Sequence, residues 1–206
     1  MTGFIQQRSD AWFSQRLGKV TASKVSDVMA KTKSGYSASR ANYMAQLLLE
    51  RITGEREEGY QNAAMLRGME LEPVARAVFE MRTGLSVDEA EFMPHPSGLM
   101  AGASSDGITD DGGLLEIKCC NAAAHLDFAL NRSIPKAHEL QMRLQMACYD
   151  RPHCHYAMYH DKFPGHLQLL TKKVMRDMGE ENAMMEEITG FLEELGGIEH
   201  KLGEII

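Results

Sequence analysis

Asp106, Glu116 and Lys118 are the residues whose types and spacing could do chemistry. Glu116 lies ten positions after Asp106, and the intervening TDDGG supplies a tight turn, so the two carboxylates can stand side by side on paired strands. Lys118 follows Glu116 by two, and the period of a strand puts both on one face. Two converging carboxylates repel, so the arrangement calls for a divalent cation or a protonated partner. Oxygen ligands with open positions suit magnesium or manganese, which keep several waters and bind through one or two carboxylates plus a substrate phosphate. A lysine beside such an ion can position an attacking water, help deprotonate it and neutralise charge on a phosphoryl transition state. The chemistry indicated is phosphodiester hydrolysis. An exposed hairpin with Glu/Lys pairs on its wet face would carry the same short pattern.

The elements around this hairpin are legible in outline. SDAWFSQRLG predicts a short helix capped by Ser9 and stopped at Gly18, and a second helix starts at Thr21 to Ser23. RANYMAQLLLERITGE reads as a helix closed by Gly54. A further helical segment runs from about Asn62 to Arg82, interrupted or restarted at Pro73. From Leu85 the texture changes to three strands, LSVDEAEFM, LMAGASSDGITD and GLLEIKCC, joined by tight turns. Helical signal returns at AAAHLDFALN and KAHELQMRLQMACY, CHYAMYH and HLQLLTKKV alternate like two more strands, and Met178 to Leu202 forms an acidic amphipathic helix. The expected architecture is α/β (α+β), a central mixed sheet flanked by helices. No repeat or linker divides residues 1–206, so a single domain is expected.

The composition, 44% apolar against 25% charged, is globular rather than disordered or fibrous. Met1 to Asp10 lacks a basic segment followed by an apolar run, and no stretch approaches bilayer-spanning length, so a cytosolic protein without a membrane partner is expected. The four cysteines, two of them adjacent, read as free thiols rather than as a disulfide framework. His153 and His155 could offer two imidazoles on one strand face, but no sequence neighbour completes a zinc set, and packing or surface histidines are expected. The net charge of −7 is unevenly placed. Arg8, Arg16, Lys19, Lys24, Lys31, Lys33 and Arg40 face only Asp10 and Asp27 up to residue 40, whereas nine acidic residues oppose Lys201 from Asp177 onward. That asymmetry suggests an anion-facing end and a repelling end.

SSDGI…LLEIKC resembles the D…E-x-K core of the restriction-endonuclease-like nucleases, and specifically of the phage lambda-type alkaline exonucleases, the viral recombinase family. RLGKVTASKVSDVMAK, from Arg16 to Lys31, is similar to that family's R-L-G-x-x-T-A-S signature. RGMELEPVARAVFE, from Arg67 to Glu80, matches its G-x-x-x-E-x-x-A-x-x-x-F-E helix, and LQMRLQMACY, from Leu140 to Tyr149, its glutamine-bearing helix. The resemblance covers most of the chain.

The resemblance implies a restriction-endonuclease-like core in a single nuclease domain. Asp106 and Glu116 would hold the metal, with the Ile117 carbonyl as a further ligand, Lys118 would be the catalytic lysine, and Glu72 an additional acidic residue. Glu72 is also an i,i+4 partner for Arg76. Gln141 would contact the scissile region, with Gln145, which heads a Q-x-x-x-Y pattern, as its rival. Arg16, Ser23 and Ser104 match the positions that receive a terminal 5′-phosphate, although Ser23 could merely cap a helix. A downstream arginine of that phosphate pocket is absent, its place falling near Ala124 and His125, so His125 or Arg143 would compensate. Ser105 stands where the wider superfamily has proline.

The implied activity is a magnesium-dependent (or manganese-supported) 5′-to-3′ exonuclease acting on linear double-stranded DNA ends and leaving 3′ single strands for annealing. The implied assembly is a homotrimer ring meeting a single-strand annealing protein in a phage- or prophage-bearing bacterial cytoplasm. Lys31, Lys33 and Arg40 are candidates for gripping the duplex, and Met44 or Leu66 for wedging apart its last base pairs. An endonuclease or repair nuclease of the same core, or a non-catalytic DNA-end-binding module, are the alternatives.

Overall fold

The computed structural model describes residues 5–33, 35–56 and 63–204. Short pieces come first: helix α1 (Asp10–Arg16), strand β1 (Val20–Thr21), a 3-10 turn (Ala22–Lys24), helix α2 (Val25–Val28), and strands β2 (Lys31–Thr32) and β3 (Gly35–Tyr36). Two long helices, α3 (Ala38–Thr53) and α4 (Ala63–Thr83), lead into strands β4 (Val87–Asp88), β5 (Met93–Pro94), β6 (Ala101–Ala103), β7 (Gly107–Thr109) and β8 (Leu114–Cys119). Helices α5 (Ala122–Asn131) and α6 (Lys136–Tyr149) precede β9 (His153–Tyr159), the helical turn α7 (Gly165–Gln168), β10 (Leu169–Met175) and helix α8 (Met178–Gly203).

The main sheet has the order β10-β9-β8-β7-β4. β8 and β9 run parallel and the other neighbours antiparallel, so the expected central mixed sheet is present. A parallel pair needs a long crossover, and α5 with α6 supplies it. A smaller sheet, β1-β6-β5, lies beside it.

Apolar layers cover both faces of the main sheet. On one, Leu114, Cys154, Tyr156 and Met158 pack with Met142, Leu144 and Met146 of α6 and Met184, Ile188 and Phe191 of α8. On the other, Leu115, Ile117, Ala157 and Tyr159 pack with Ala75 and Phe79 of α4. Each fully buried side chain of this size contributes about 1.5–3 kcal/mol relative to exposure. β8 is therefore clamped from both sides, and alternation puts Glu116 and Lys118 on the face that α6 covers.

Several local expectations hold. The Ser9 hydroxyl accepts from Trp12 N at 3.3 Å and starts α1, and Gly54 closes α3 in the left-handed region at φ +70°. Others change. Thr21 is extended and pairs with β6, so the chain turns helical one residue later, and Ser23 sits inside the 3-10 turn rather than capping a helix. α4 runs through Pro73 without restarting, which leaves the Met69 carbonyl without its usual helical donor. The predicted start of this helix at Asn62 lies outside the described residues.

The first two predicted strands are each divided between two sheets. LSVDEAEFM supplies β4 to the main sheet and β5 to the small one, and LMAGASSDGITD supplies β6 to the small sheet and β7 to the main one. The crossing falls at Ser104–Asp106. There the buried Ser105 hydroxyl donates to Leu115 O (2.8 Å) and the Tyr149 hydroxyl accepts from Ser105 N (3.2 Å), so side chains replace the ladder bonds that the bend removes.

Candidate active site

The crossing from β6 to β7 delivers Asp106 to the mouth of a cavity of about 900 Å³. Asp106 N donates to Leu115 O at 3.0 Å, and Asp106 Oδ2 accepts from Ile117 N at 2.6 Å, which locks the carboxylate beside β8. Glu116, one residue away on that strand, is almost wholly buried. Its Oε1 meets Lys118 Nζ at 2.6 Å and Gln141 Nε2 at 2.7 Å, and its Oε2 accepts from Gln145 Nε2 at 2.6 Å. Lys118 Nζ also donates to Gln141 Oε1 at 3.0 Å. A buried carboxylate is tolerable only when paired and hydrogen-bonded, and this one is both.

Both α6 glutamines therefore converge on one carboxylate, and their surroundings separate them. Gln141 lines the cavity and touches Lys118. Gln145 is fully buried behind the site, where Nε2 also donates to Ser104 O at 2.9 Å. Gln145 and Tyr149, one helical turn apart, thus hold Ser104 and Ser105 in the bend that presents Asp106.

Glu72 reaches the same cavity from α4. It accepts from Arg8 Nη2 at 2.9 Å, and its i,i+4 contact with Arg76 is looser at 3.8 Å. Arg76 instead donates to Asp106 O at 2.7 Å. Burial, then Glu116, then Glu72 push the Asp106 carboxyl well above the usual range. Burial pulls Lys118 down, but Glu116 and Asp106 outweigh it and hold the ammonium above the ordinary lysine value. Burial is the largest single influence on both groups, and Lys118 is the cation that Glu116 and Asp106 share.

At the other end of the cavity the potential reverses. Arg16 lies over the Trp12 ring with 4.1 Å between guanidinium carbon and centroid, and its Nη1 is 3.4 Å from Ser104 Oγ. Trp12 Nε1 donates to the same hydroxyl at 2.9 Å. Burial lowers Arg16 to about 10, still cationic near neutrality. Ser23 lines the cavity from the 3-10 turn, and Arg56, stacked over Phe13 at 3.7 Å, lines it as well.

The structure brings together Arg16, Ser23, Glu72, Ser104, Asp106, Ile117, Lys118 and Gln141 around one cavity, with Glu116 in direct contact. The remaining candidates lie outside this cavity, and for Arg40, Met44, His125 and Arg143 the expectation is corrected. Arg40 is buried, stacked on Tyr36 at 3.9 Å and paired with Glu194 at 2.7 Å, so it ties α3 to α8 and is not presented to a duplex. Lys31 is exposed and pairs with Glu187 at 2.5 Å, and Lys33 is exposed beside it. Met44 is a core residue and cannot serve as a wedge, whereas Leu66 is exposed on α4. His125 is buried against Phe163 and His160, with Nε2 at 2.7 Å from Leu167 O, and Arg143 pairs with Glu180 at 3.2 Å. Neither lines the cavity.

Sequence reasoning missed Arg8, Trp12 and Arg56 as cavity residues. The basic bias up to residue 40 is a signal for Arg8 alone; Trp12 and Arg56 carry none. Arg8 has φ +69°, a left-handed conformation that no spacing rule anticipates, and it carries the guanidinium back over α4.

The divided strands, the parallel β8–β9 pair and the carboxylate–lysine hairpin define a restriction-endonuclease-like core. The chain belongs to the YqaJ-like viral recombinase domain family, whose model matches residues 11–152. It is 41% identical to an alkaline exonuclease (LHK-Exo) from Laribacter hongkongensis, covering 95% of this chain and 97% of that one with a TM-score of 0.89. The complex of LHK-Exo with dAMP matches equally well, at 41% identity and a TM-score of 0.89 over 95% of this chain and 97% of that one. A phage-related exonuclease from Haemophilus somnus 129PT, 15% identical over 91% of this chain and 96% of that one with a TM-score of 0.73, shares the fold. No curated protein matches the chain at a significant level.

Proposed function

We propose that residues 1–206 form one nuclease domain that digests the 5′-phosphorylated strand of a linear DNA duplex from its end and leaves a 3′ single strand for annealing. The observation that carries this reading is the polarity of the cavity. A cationic, hydroxyl-lined end with Arg16, Ser23 and Ser104 faces a carboxylate–lysine end with Asp106, Glu116 and Lys118. A terminal 5′-phosphate fits the first while the next phosphodiester reaches the second. Arg56, which lines the cavity with Arg16, supplies the second cation that neither His125 nor Arg143 is placed to give. The alkaline exonuclease relative supports the same reaction class.

The donor set fits a divalent cation. Asp106 and Glu116 are close enough to interact, Ile117 and Glu72 line the same cavity, and burial first, then the neighbouring carboxylates Glu116 and Glu72, raise the Asp106 carboxyl, a cost that a cation would relieve. Magnesium, with manganese as substitute, suits an all-oxygen set and would supply Lewis-acid stabilisation of the phosphoryl group. Lys118, fixed by Glu116 and Gln141, orients the attacking water and donates to the developing charge on the phosphate. Water oxygen bonds to phosphorus as the bond to the 3′-oxygen breaks. The terminal nucleotide leaves with a 3′-hydroxyl, and the shortened strand keeps a new 5′-phosphate for Arg16.

A ring of three such chains, closed around the duplex and meeting a single-strand annealing protein on its outer surface, completes the proposal, as does a phage or prophage origin and action in the bacterial cytoplasm. Lys33 and Lys31 on the β2–β3 hairpin are the remaining candidates for duplex contact. Among the described residues no helix is long and apolar enough to cross a membrane.

The test uses magnesium and a linear duplex with a 5′-phosphate on one strand only, with strand-resolved products for wild type and Lys118→Ala. Selective loss of the phosphorylated strand, reduced about 10²- to 10³-fold in the variant, is expected. Equal cutting of a closed circle would replace the exonuclease by an endonuclease, and unchanged DNA with end binding would leave a binding module.

A further inference from the structure

We propose that Asp111, His153 and His155 form a transition-metal site, suited to zinc, that clamps the β7–β8 turn to β9. The site is separate from the cavity and owes nothing to the nuclease reading. Asp111 sits in the turn, and the two histidines occupy one face of β9 at i and i+2. Asp111 Oδ2 is 3.0 Å from His153 Nε2 and 3.0 Å from His155 Nε2, and one donor atom from each residue falls within 4.8 Å of the others. Ligands on a tetrahedral zinc with bonds near 2.0–2.1 Å stand about 3.3 Å apart, so small side-chain shifts close the set around an ion.

The surroundings are built for these groups. Thr109 Oγ1 donates to Asp111 Oδ1 at 2.7 Å, and Gly113 N donates to the same oxygen at 3.3 Å, which turns Oδ2 toward the histidines. A side chain at Gly113 would lie 2.2 Å from His153 Nε2, so the turn needs glycine there to admit the ring. Phe79 meets the His155 ring edge-to-face at 5.5 Å. Cys154, between the two histidines, points to the opposite face and is buried in the core, which leaves two nitrogens and one oxygen as the ligand set. Imidazole nitrogens favour zinc over magnesium, and three protein ligands leave a fourth position for water.

Lys173 Nζ, 3.2 Å from Asp111 Oδ2, competes for the shared oxygen. Its side chain is 45% exposed, so it can swing into solvent when a cation replaces it. Metal would bind across the hairpin whose two strands follow Asp106 and carry Glu116, pinning the turn end of both.

The test is calorimetric titration of the full chain with Zn²⁺ in excess Mg²⁺, with Co²⁺ absorption as an independent count of tetrahedral sites. One zinc equivalent is expected in wild type and in the Asp106→Asn/Glu116→Gln double variant. His155→Ala should lose it, Thr109→Val should weaken it about 10- to 100-fold by freeing Asp111, and Lys173→Met should tighten it. Thr109→Val and Lys173→Met decide the matter if His155→Ala fails to fold. The proposal is overturned if wild type binds no zinc, if the double variant loses the equivalent while His155→Ala keeps it, or if neither Thr109→Val nor Lys173→Met changes the affinity.

Discussion

Replacing Gln145 by leucine separates the two α6 glutamines by what each one holds. Gln145 Nε2 donates to Glu116 Oε2 at 2.6 Å and to Ser104 O at 2.9 Å, while its buried Oε1 finds no partner among the described residues. Leucine removes a hydrogen bond to a charged group, about 1.5–3 kcal/mol, and one to a neutral carbonyl, about 1 kcal/mol. It also removes the unsatisfied Oε1, whose burial costs about 1–3 kcal/mol. Central values, about 3 kcal/mol lost against about 2 kcal/mol recovered, leave a net loss of about 1 kcal/mol, which lowers the urea midpoint by about 0.5 M for a slope near 2 kcal/mol/M. Turnover should fall by no more than about tenfold, because Lys118 and Gln141 still hold the other Glu116 oxygen. Gln141→Leu should behave in the opposite way. Water in the cavity can replace its amide, so the midpoint barely moves, but Lys118 loses the partner that aims it and kcat falls about 10²-fold. Urea titration beside single-turnover digestion reads both quantities. An unchanged midpoint with abolished turnover for Gln145→Leu, and a silent Gln141→Leu, would refute the division of roles.

Arg16→Ala should lower the kcat/KM preference for 5′-phosphorylated over 5′-hydroxyl ends about 10- to 100-fold, the worth of one charge-assisted hydrogen bond, measured on paired substrates. Arg40→Ala should destabilise the chain by about 1–3 kcal/mol in urea without altering DNA affinity, because its contacts are with Tyr36, Phe191 and Glu194. Lys33→Ala should do the reverse, leaving the urea midpoint unchanged while weakening duplex binding in a filter or anisotropy assay. Burial, with Lys118 nearby, lowers His138 from 6.5 to about 4, so the unfolded chain binds its proton first. Wild type should therefore lose stability as pH falls from about 6.5 toward 4, and His138→Gln should flatten that part of the curve in thermal melts at stepped pH.

The sequence is most readable where a single element decides its own structure. Ser9, Gly54 and the run LLEIKC act through contacts a few residues away, and helix, stop and strand follow from them. It is least readable where the chain changes sheets. LMAGASSDGITD looks like one strand because nothing in its alternation marks Ser104–Asp106 as a bend. The bend is held by Tyr149, Gln145 and Leu115, which lie 44, 41 and 10 positions away from the groups they bond. Pro73 misleads in the other direction, since the packing of Ala75 and Phe79 on β8 and β9 carries α4 through a residue that locally argues for a boundary.

The same contrast explains the site. Asp106, Glu116 and Lys118 were visible because one hairpin carries all three, so turn length and strand period suffice to bring them together. Arg40 reads as a duplex contact in the sequence because charge there says nothing of what covers it, whereas α8 brings Glu194 and Phe191 onto it from more than 150 positions away. Sequence spacing offers the histidine pair no third ligand because the proposed one, Asp111, comes across the sheet from a turn 42 and 44 positions distant. Parallel pairing of β8 with β9 is the cause, for it sets Leu115 opposite His155 and brings the turn before β8 to the start of β9. That pairing also stacks β9 against the strand bearing Glu116 and Lys118, so one register places the carboxylate–lysine pair toward one end of β8 and the histidine–aspartate cluster at the other.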